Sequence, residues 1–214
     1  GILVSIPKDG KIVLLQDGDG DGKAEDIKTV LSRLNRPHGM AFFYGVTHGL
    51  YEWYVAESDK IVQYDYEYSL RDSYKDPIKI THKKVITTLP SGGNHFTRTI
   101  MFMQSPDGYP YQSQKLLISV GSSCNVCVEK DWWRAKILVY DRMTGELSEF
   151  ASGLRNAVFM ATQHVTGKIW ATEKGRDLLG DDLPPDEINI IRRGEDYGWP
   201  YCYGKQVHDA KFDP

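Results

Sequence analysis

Apolar residues fall in short runs broken by turn residues, and hardly a stretch keeps a helical apolar period for three turns. The clearest runs are Ile12-Val13-Leu14-Leu15, Trp53-Tyr54-Val55-Ala56, Ile61-Val62-Gln63-Tyr64, Leu116-Leu117-Ile118-Ser119, Ile137-Leu138-Val139-Tyr140, Ile169-Trp170-Ala171-Thr172 and Ile188-Asn189-Ile190-Ile191. Each is about four to six residues long, the usual length of a strand. The pattern predicts an all-β chain.

The runs also repeat as a unit. A polar cluster leads into an apolar strand at Pro37-His38-Gly39-Met40-Ala41-Phe42, at His95-Phe96-Thr97-Arg98-Thr99-Ile100-Met101-Phe102 and at Leu154-Arg155-Asn156-Ala157-Val158-Phe159. Each is followed by a strand ending in small residues (Tyr54-Val55-Ala56, Ile118-Ser119-Val120, Trp170-Ala171-Thr172) and then by a third strand ending at Asp65, Asp141 or Ile191. The period of roughly 50 to 60 residues suits a four-stranded β-propeller blade with long loops. At that period 1–214 is a single, partial propeller domain of about four blades, too short to close a six-bladed ring, and an open ring is expected to self-associate.

The net charge of -3 offers no basic stripe for phosphate, so nucleic acid is excluded as a partner and a neutral ligand such as a sugar fits better. No apolar run approaches the roughly 18 residues of a membrane span. The residues Gly1-Ile2-Leu3-Val4 lack the pattern of an export signal, which was removed or never present. Cys124 and Cys127 are closely spaced and Cys202 stands apart. A local disulfide in an oxidising compartment and a pair of small buried thiols both fit.

Asp17-Gly18-Asp19-Gly20-Asp21-Gly22 places carboxylates on alternate residues, with glycines that let the backbone curl round a hard cation. This is a calcium loop, completed by Glu25 or Asp26, or else a solvated acidic turn. In Gly92-Gly93-Asn94-His95 the glycines allow close backbone approach to a ligand, and His95 is a candidate general base. His38 holds the equivalent place in the first repeat, and faithful repeats would turn both histidines and Arg155 into one central channel. Arg155-Asn156 sets a permanent cation beside an amide, where developing negative charge is stabilised. The polar excursion from Glu173 to Asn189 between two strands is of the kind that serves a site.

Taken together these motifs resemble the soluble glucose and sorbosone dehydrogenases that use pyrroloquinoline quinone (PQQ) on a six-bladed propeller. The likeness runs from about Asn35 to Cys202 through Gly93-Asn94-His95 with Arg98, Ser119-Val120-Gly121-Ser122, Gly153-Leu154-Arg155-Asn156, Glu173 with Gly175, Asp186-Glu187-Ile188-Asn189 and Tyr197-Gly198-Trp199-Pro200. Ser122-Ser123-Cys124-Asn125-Val126-Cys127 and the loop from Arg176 to Asp182 look more like the sorbosone branch. The resemblance implies that His95 takes the hydroxyl proton as hydride leaves the sugar C1, with Arg155 facing the quinone oxygen. It makes Asn156 and Arg98 cofactor contacts. The carbonyls of Gly175 and Arg176 would hold a calcium that polarises the quinone, and Glu187 with the carbonyl of Tyr197 a second calcium.

Two departures stand out. Arg176 replaces a proline of the glucose branch, and the cations that grip the quinone carboxylates in the family's last blades have no counterpart before Pro214. The implied partners are a small sugar and an external electron acceptor, in the periplasm or outside the cell. A calcium-dependent lactonase propeller and a non-catalytic binding propeller are the rival readings, but His38, His95 and Arg155 suit a base and an anion stabiliser better than a metal cage.

Overall fold

A computed structural model describes residues 1–44, 50–68, 78–105 and 112–214, and divides the chain into two compact units, residues 1–88 and 89–214. The first unit opens with β1 (Ile2–Ile6), a 3-10 turn (Pro7–Asp9), β2 (Lys11–Gln16) and β3 (Asp26–Leu31), which form a three-stranded sheet. A four-stranded sheet follows, made of β4 (Met40–Tyr44), β5 (Leu50–Ala56), β6 (Lys60–Tyr68) and β7 (Ile78–Thr88). The second unit repeats the plan with β8 (Ile100–Gln104), β9 (Gln112–Val120), β10 (Lys136–Asp141) and β11 (Leu147–Ala151). It continues with a three-stranded sheet of β12 (Met160–Thr162), β13 (Ile169–Glu173) and β14 (Glu187–Ile191), and a small ribbon of β15 (Cys202–Tyr203) and β16 (Val207–His208). Every strand pair is antiparallel, and spatial order follows chain order. The all-β class read from the sequence holds, and no helix among the described residues is long and apolar enough to cross a membrane.

Each apolar run identified in the sequence lies within a strand, and the inner strands of the four-stranded sheets are largely buried on both faces. Trp53, Tyr54, Val55 and Ala56 on β5 are all buried, as are Leu116 to Val120 on β9 and Ile137 to Tyr140 on β10. That is why these segments read as continuous apolar runs rather than as an alternation. In the first unit Trp53 and Val55 meet Val62, Tyr64, Tyr66 and Ile12 across the two sheets. In the second, Leu117, Ile137 and Val139 pack on Ile169, Ala171 and Ile191. Each such side chain, fully buried, contributes about 1.5–3 kcal/mol. The edge strand β7 has exposed Lys83 and Lys84, a charged border that blunts pairing with a further strand.

The polar lead-ins found in the sequence stand at the first strands of three of these sheets, β4, β8 and β12. In the second unit, the segments before β8 and β12 and the loops after β9 and β13 come together, and they hold the groups described next. One glycine fixes this junction. Gly153 has φ +70°, and an added Cβ would sit 2.6 and 2.7 Å from the backbone nitrogens of Gly198 and Tyr197. The close approach lets Trp199 N–H donate to the Gly153 carbonyl (3.1 Å) and Tyr197 N–H to the Ser152 carbonyl (3.0 Å).

Candidate active site

The Gly92-Gly93 pair sets the position of His95. Both glycines have positive φ (81° and 79°), and a Cβ on Gly93 would lie 2.7 Å from the backbone of Ser123. This seats the lead-in against the β9–β10 loop, where Asn94 N–H donates to the Ser123 carbonyl (2.9 Å). The half-buried His95 then places Nδ1 2.9 Å from the Ser122 carbonyl and 3.0 Å from Ser122 Oγ. A carbonyl only accepts, so Nδ1 carries the proton, and Nε2 of the neutral ring is the acceptor. Ser122 Oγ donates onward to the Cys124 carbonyl (2.7 Å).

Burial lowers the pKa of His95 below its ordinary 6.5, and the charge of Arg155 pushes the same way, against the hydrogen bond to Ser122. The ring is therefore neutral at pH 7 and ready to accept a proton. A rate limited by this base should fall only at pH values below 6.5, as Nε2 becomes protonated. A pH profile of turnover checks this, and an acid limb centred above 6.5 would show that another group controls the rate.

Gly121 lies between His95 and Asn156. A Cβ there would stand 2.7 Å from His95 Cβ and 2.7 Å from Asn156 Oδ1. Asn156 Oδ1 is buried with no partner among the described residues, so it has an acceptor to offer a ligand. Asn156 itself is held by its backbone N–H, which donates to both carboxylate oxygens of Glu173 (3.1 and 3.3 Å). Arg155 is 1% exposed. Its Nε donates to the Asn125 carbonyl (2.8 Å), one terminal nitrogen to the Lys174 carbonyl (3.3 Å), and the other to Asn125 Oδ1 (2.9 Å) and Asp177 (3.1 Å).

Arg98, expected from the motif to contact the cofactor, is bonded to the backbone around His95. It is wholly buried, and its guanidinium donates to the carbonyls of His95 (3.0 Å), Thr97 (2.7 Å) and Pro90 (2.8 Å). It stiffens the segment that carries His95; meeting a cofactor would require it to leave these carbonyls. Arg134, which sequence reasoning missed, fastens the same segment from the other side through the carbonyls of Ser91 (2.9 Å) and Gly92 (3.0 Å).

Gly175, Arg176, Glu187 and Tyr197, expected as ligands of two calcium ions, all line one cavity of about 20 Å³ together with Glu173 and Asp209. Its size admits one ion or one water. Burial pushes the Glu173 carboxyl up to about 8, and the neighbouring Glu187 adds to the effect. The carboxylates of Glu173, Glu187 and Asp209 offer oxygen donors of the kind a hard cation takes, beside the cations of Arg155 and Arg176 in the same lining. The cation of Arg176, unexpected beside a metal, is paired with the buried Asp209 at 2.8 Å.

In the first unit, Asp17, Asp19, Asp21 and Glu25 bring carboxylate oxygens within 4.8 Å of one another, all exposed. Asp17 receives the N–H groups of Gly20 (2.7 Å) and Gly22 (3.0 Å), and Glu25 that of Gly18 (2.7 Å), so the acidic run curls as the glycines allow. His38 also belongs to this unit, where its N–H donates to the Ala56 carbonyl (2.9 Å). Of the two readings of the cysteine pair, the structure forms the disulfide Cys124–Cys127, with Cys202 free.

Similar proteins were found by sequence and by fold. An uncharacterized protein of Borreliella burgdorferi is 28% identical over 192 residues, covering 89% of this chain and 48% of its own length. The iodide structure of a Trichoderma reesei carbohydrate-active enzyme of family AA12 superposes with a TM-score of 0.68 at 23% identity, over 94% of this chain and 53% of that one. The PQQ-bound form of aldose sugar dehydrogenase from Streptomyces coelicolor gives a TM-score of 0.62 at 20% identity, over 97% of this chain and 62% of that one. At these identities the structures establish a common fold, and the chain spans about half the length of the relatives it matches. The model of the TrAA12-like family matches residues 1–212, and the chain belongs to that family.

Proposed function

We propose that this chain forms blades of a β-propeller oxidoreductase that oxidises an aldose with PQQ and passes the electrons to an external acceptor. The observation that carries the reading is His95, whose Nδ1–H is fixed on the Ser122 carbonyl so that Nε2 of the half-buried, neutral ring is left as the acceptor, near Arg155 and Asn156. When bound, the quinone supplies the acceptor for the hydride that leaves the sugar C1, and calcium polarises it. His95 Nε2 accepts the C1 hydroxyl proton. Arg155 offers fixed positive charge where negative charge develops, and Asn156 Oδ1 accepts a hydrogen bond from the bound group. Up-and-down sheets of three and four strands support the propeller reading.

The cavity lined by Glu173, Gly175, Arg176, Glu187 and Tyr197 would hold calcium. A disulfide persists in oxidising compartments, which supports a periplasmic or secreted protein. The test is reduction of an artificial electron acceptor on adding an aldose to protein mixed with PQQ and calcium. Acceptor reduction that needs all three components supports the reading, and its absence with cofactor bound rejects it.

A further calcium belongs to the loop of Asp17, Asp19 and Asp21, whose clustered carboxylates repel one another until a cation neutralises them. Calcium should raise the melting temperature, and Asp19→Ala with Asp21→Ala should remove part of that rise. An undiminished rise in the double variant identifies the loop as a plain acidic turn.

A further inference from the structure

The β9–β10 loop carries a group that no catalytic step uses. Asn125 lies inside the small ring closed by the Cys124–Cys127 disulfide, and it is the point at which three segments meet. Its carbonyl and its Oδ1 both accept from Arg155 (2.8 and 2.9 Å), from the lead-in to β12. Its Oδ1 also accepts the Asp177 N–H (2.8 Å), and its Nδ2 donates to the Asp177 carbonyl (3.0 Å), in the loop after β13. Asp177 in turn accepts from Arg155 at 3.1 Å. With the Lys174 carbonyl, these bonds use all but one of the N–H groups of the guanidinium.

Without Asn125 this arrangement would be weak. The Asp177 side chain is 59% exposed, and an ion pair with so solvated a partner fixes little by itself. What fixes Asp177 is the pair of bonds to Asn125, and Asn125 sits in a loop with no strand partner. Its support comes from the disulfide, from Ser122 Oγ on the Cys124 carbonyl (2.7 Å), and from Glu129, which accepts from Ser123 N–H (2.5 Å) and Oγ (2.8 Å). The stabilisation of a fold by a disulfide grows with the loop it closes, so a ring this short adds little to global stability. Its effect is local, on the orientation of Asn125.

We propose that the Cys124–Cys127 disulfide is a clasp that positions Arg155 through Asn125, so that the guanidinium is held in its set orientation only while the two sulfurs are bonded. The inference rests on the reading of Arg155 as the cation beside the bound quinone. Both cysteines are partly exposed, within reach of a dithiol reductant. The dithiol delivers two electrons and two protons, the S–S bond breaks to two thiols, and the dithiol leaves as its own disulfide. The site would then lose its fixed cation without losing its fold.

The test reads Arg155 directly, through hydrogen exchange of its Nε–H by nuclear magnetic resonance, alongside PQQ affinity and the melting temperature. In oxidised protein the exchange is slow. Reduction with dithiothreitol should speed it about 10-fold or more and weaken PQQ binding, with little change in the melting temperature, as expected when hydrogen bonds to a charged group are lost. Asn125→Ala should do the same, and reduction should add nothing in Cys124→Ser/Cys127→Ser. If Asn125→Ala does not fold, reduction of the unaltered protein still gives the reading. Unchanged Nε–H exchange after complete reduction overturns the clasp. Arg155→Lys separates this from the underlying reading: unchanged PQQ affinity in that variant would reject Arg155 as a cofactor contact, whatever the exchange rates show.

Discussion

On the proposed mechanism, replacing His95 by Gln should lower turnover of PQQ-loaded protein by about 10² to 10⁴-fold and leave the spectrum of the bound cofactor intact, because positioned base catalysis contributes a factor of that size. The substitution keeps a side chain able to hydrogen-bond to the Ser122 carbonyl but removes the basic Nε2. His38→Gln, in the other unit, should cost much less. Parallel measurement of turnover and cofactor absorbance in the two variants decides the matter. Equal losses would mean that the two histidines act together, and full turnover in His95→Gln would remove the mechanism.

The second large effect is expected at Gly121, which touches both halves of the site. Adding one methyl there brings carbon to 2.7 Å from His95 Cβ and from Asn156 Oδ1, closer than packed atoms tolerate. His95 Cβ, next to the backbone, has little freedom to yield. His95 is tied to Ser122, and Asn156 is tied through its N–H to Glu173. Overpacking of this kind costs about 1–3 kcal/mol. Gly121→Ala should therefore lower the melting temperature and, by spreading His95 from Asn156, weaken cofactor binding as well. Thermal melting with a PQQ titration checks both. A variant with unchanged stability and affinity would show that the two side chains separate freely.

Much of this arrangement is legible in the sequence, for identifiable reasons. The strands β2, β5, β6, β9 and β10 announce themselves through runs of buried apolar residues, and β13 and β14 through apolar runs that also expose Trp170 and Ile188. The outer strands β3, β7 and β11 are mixed in character, since one face meets solvent, and Ile78 to Thr88 reads as a polar segment with scattered isoleucines. His95, Arg155 and Asn156 are visible because lead-ins to successive strands repeat and place them at matching points.

What escapes the sequence is what joins loops far apart along the chain. The support of His95 by Ser122 spans 27 residues, the Asn125 clamp on Arg155 spans 30, and the pairing of Arg176 with Asp209 spans 33. No periodicity marks such contacts. Glu173 is a clearer lesson: it is plain in the sequence, yet its burial and its two bonds from Asn156 N–H follow only from the fold. Glu57, after the corresponding strand of the first unit, accepts the N–H of Asn35 (2.5 Å) in the same manner, a recurrence that comparison of the two repeats could have found. At Arg98, expected from the motif to contact the cofactor, the fold adds three bonds to backbone carbonyls that the sequence does not announce.

The central claim is that this site accepts a proton and promotes hydride transfer from a sugar to a bound quinone. A single-turnover experiment tests it most directly: oxidised PQQ is bound with calcium, external acceptors are left out, and an aldose is added while the cofactor absorbance is followed. The account predicts conversion of the bound cofactor to its reduced spectrum, fast in the unaltered protein and slowed by about 10² to 10⁴-fold in His95→Gln. A bound quinone whose spectrum stays oxidised through a range of aldoses would contradict it.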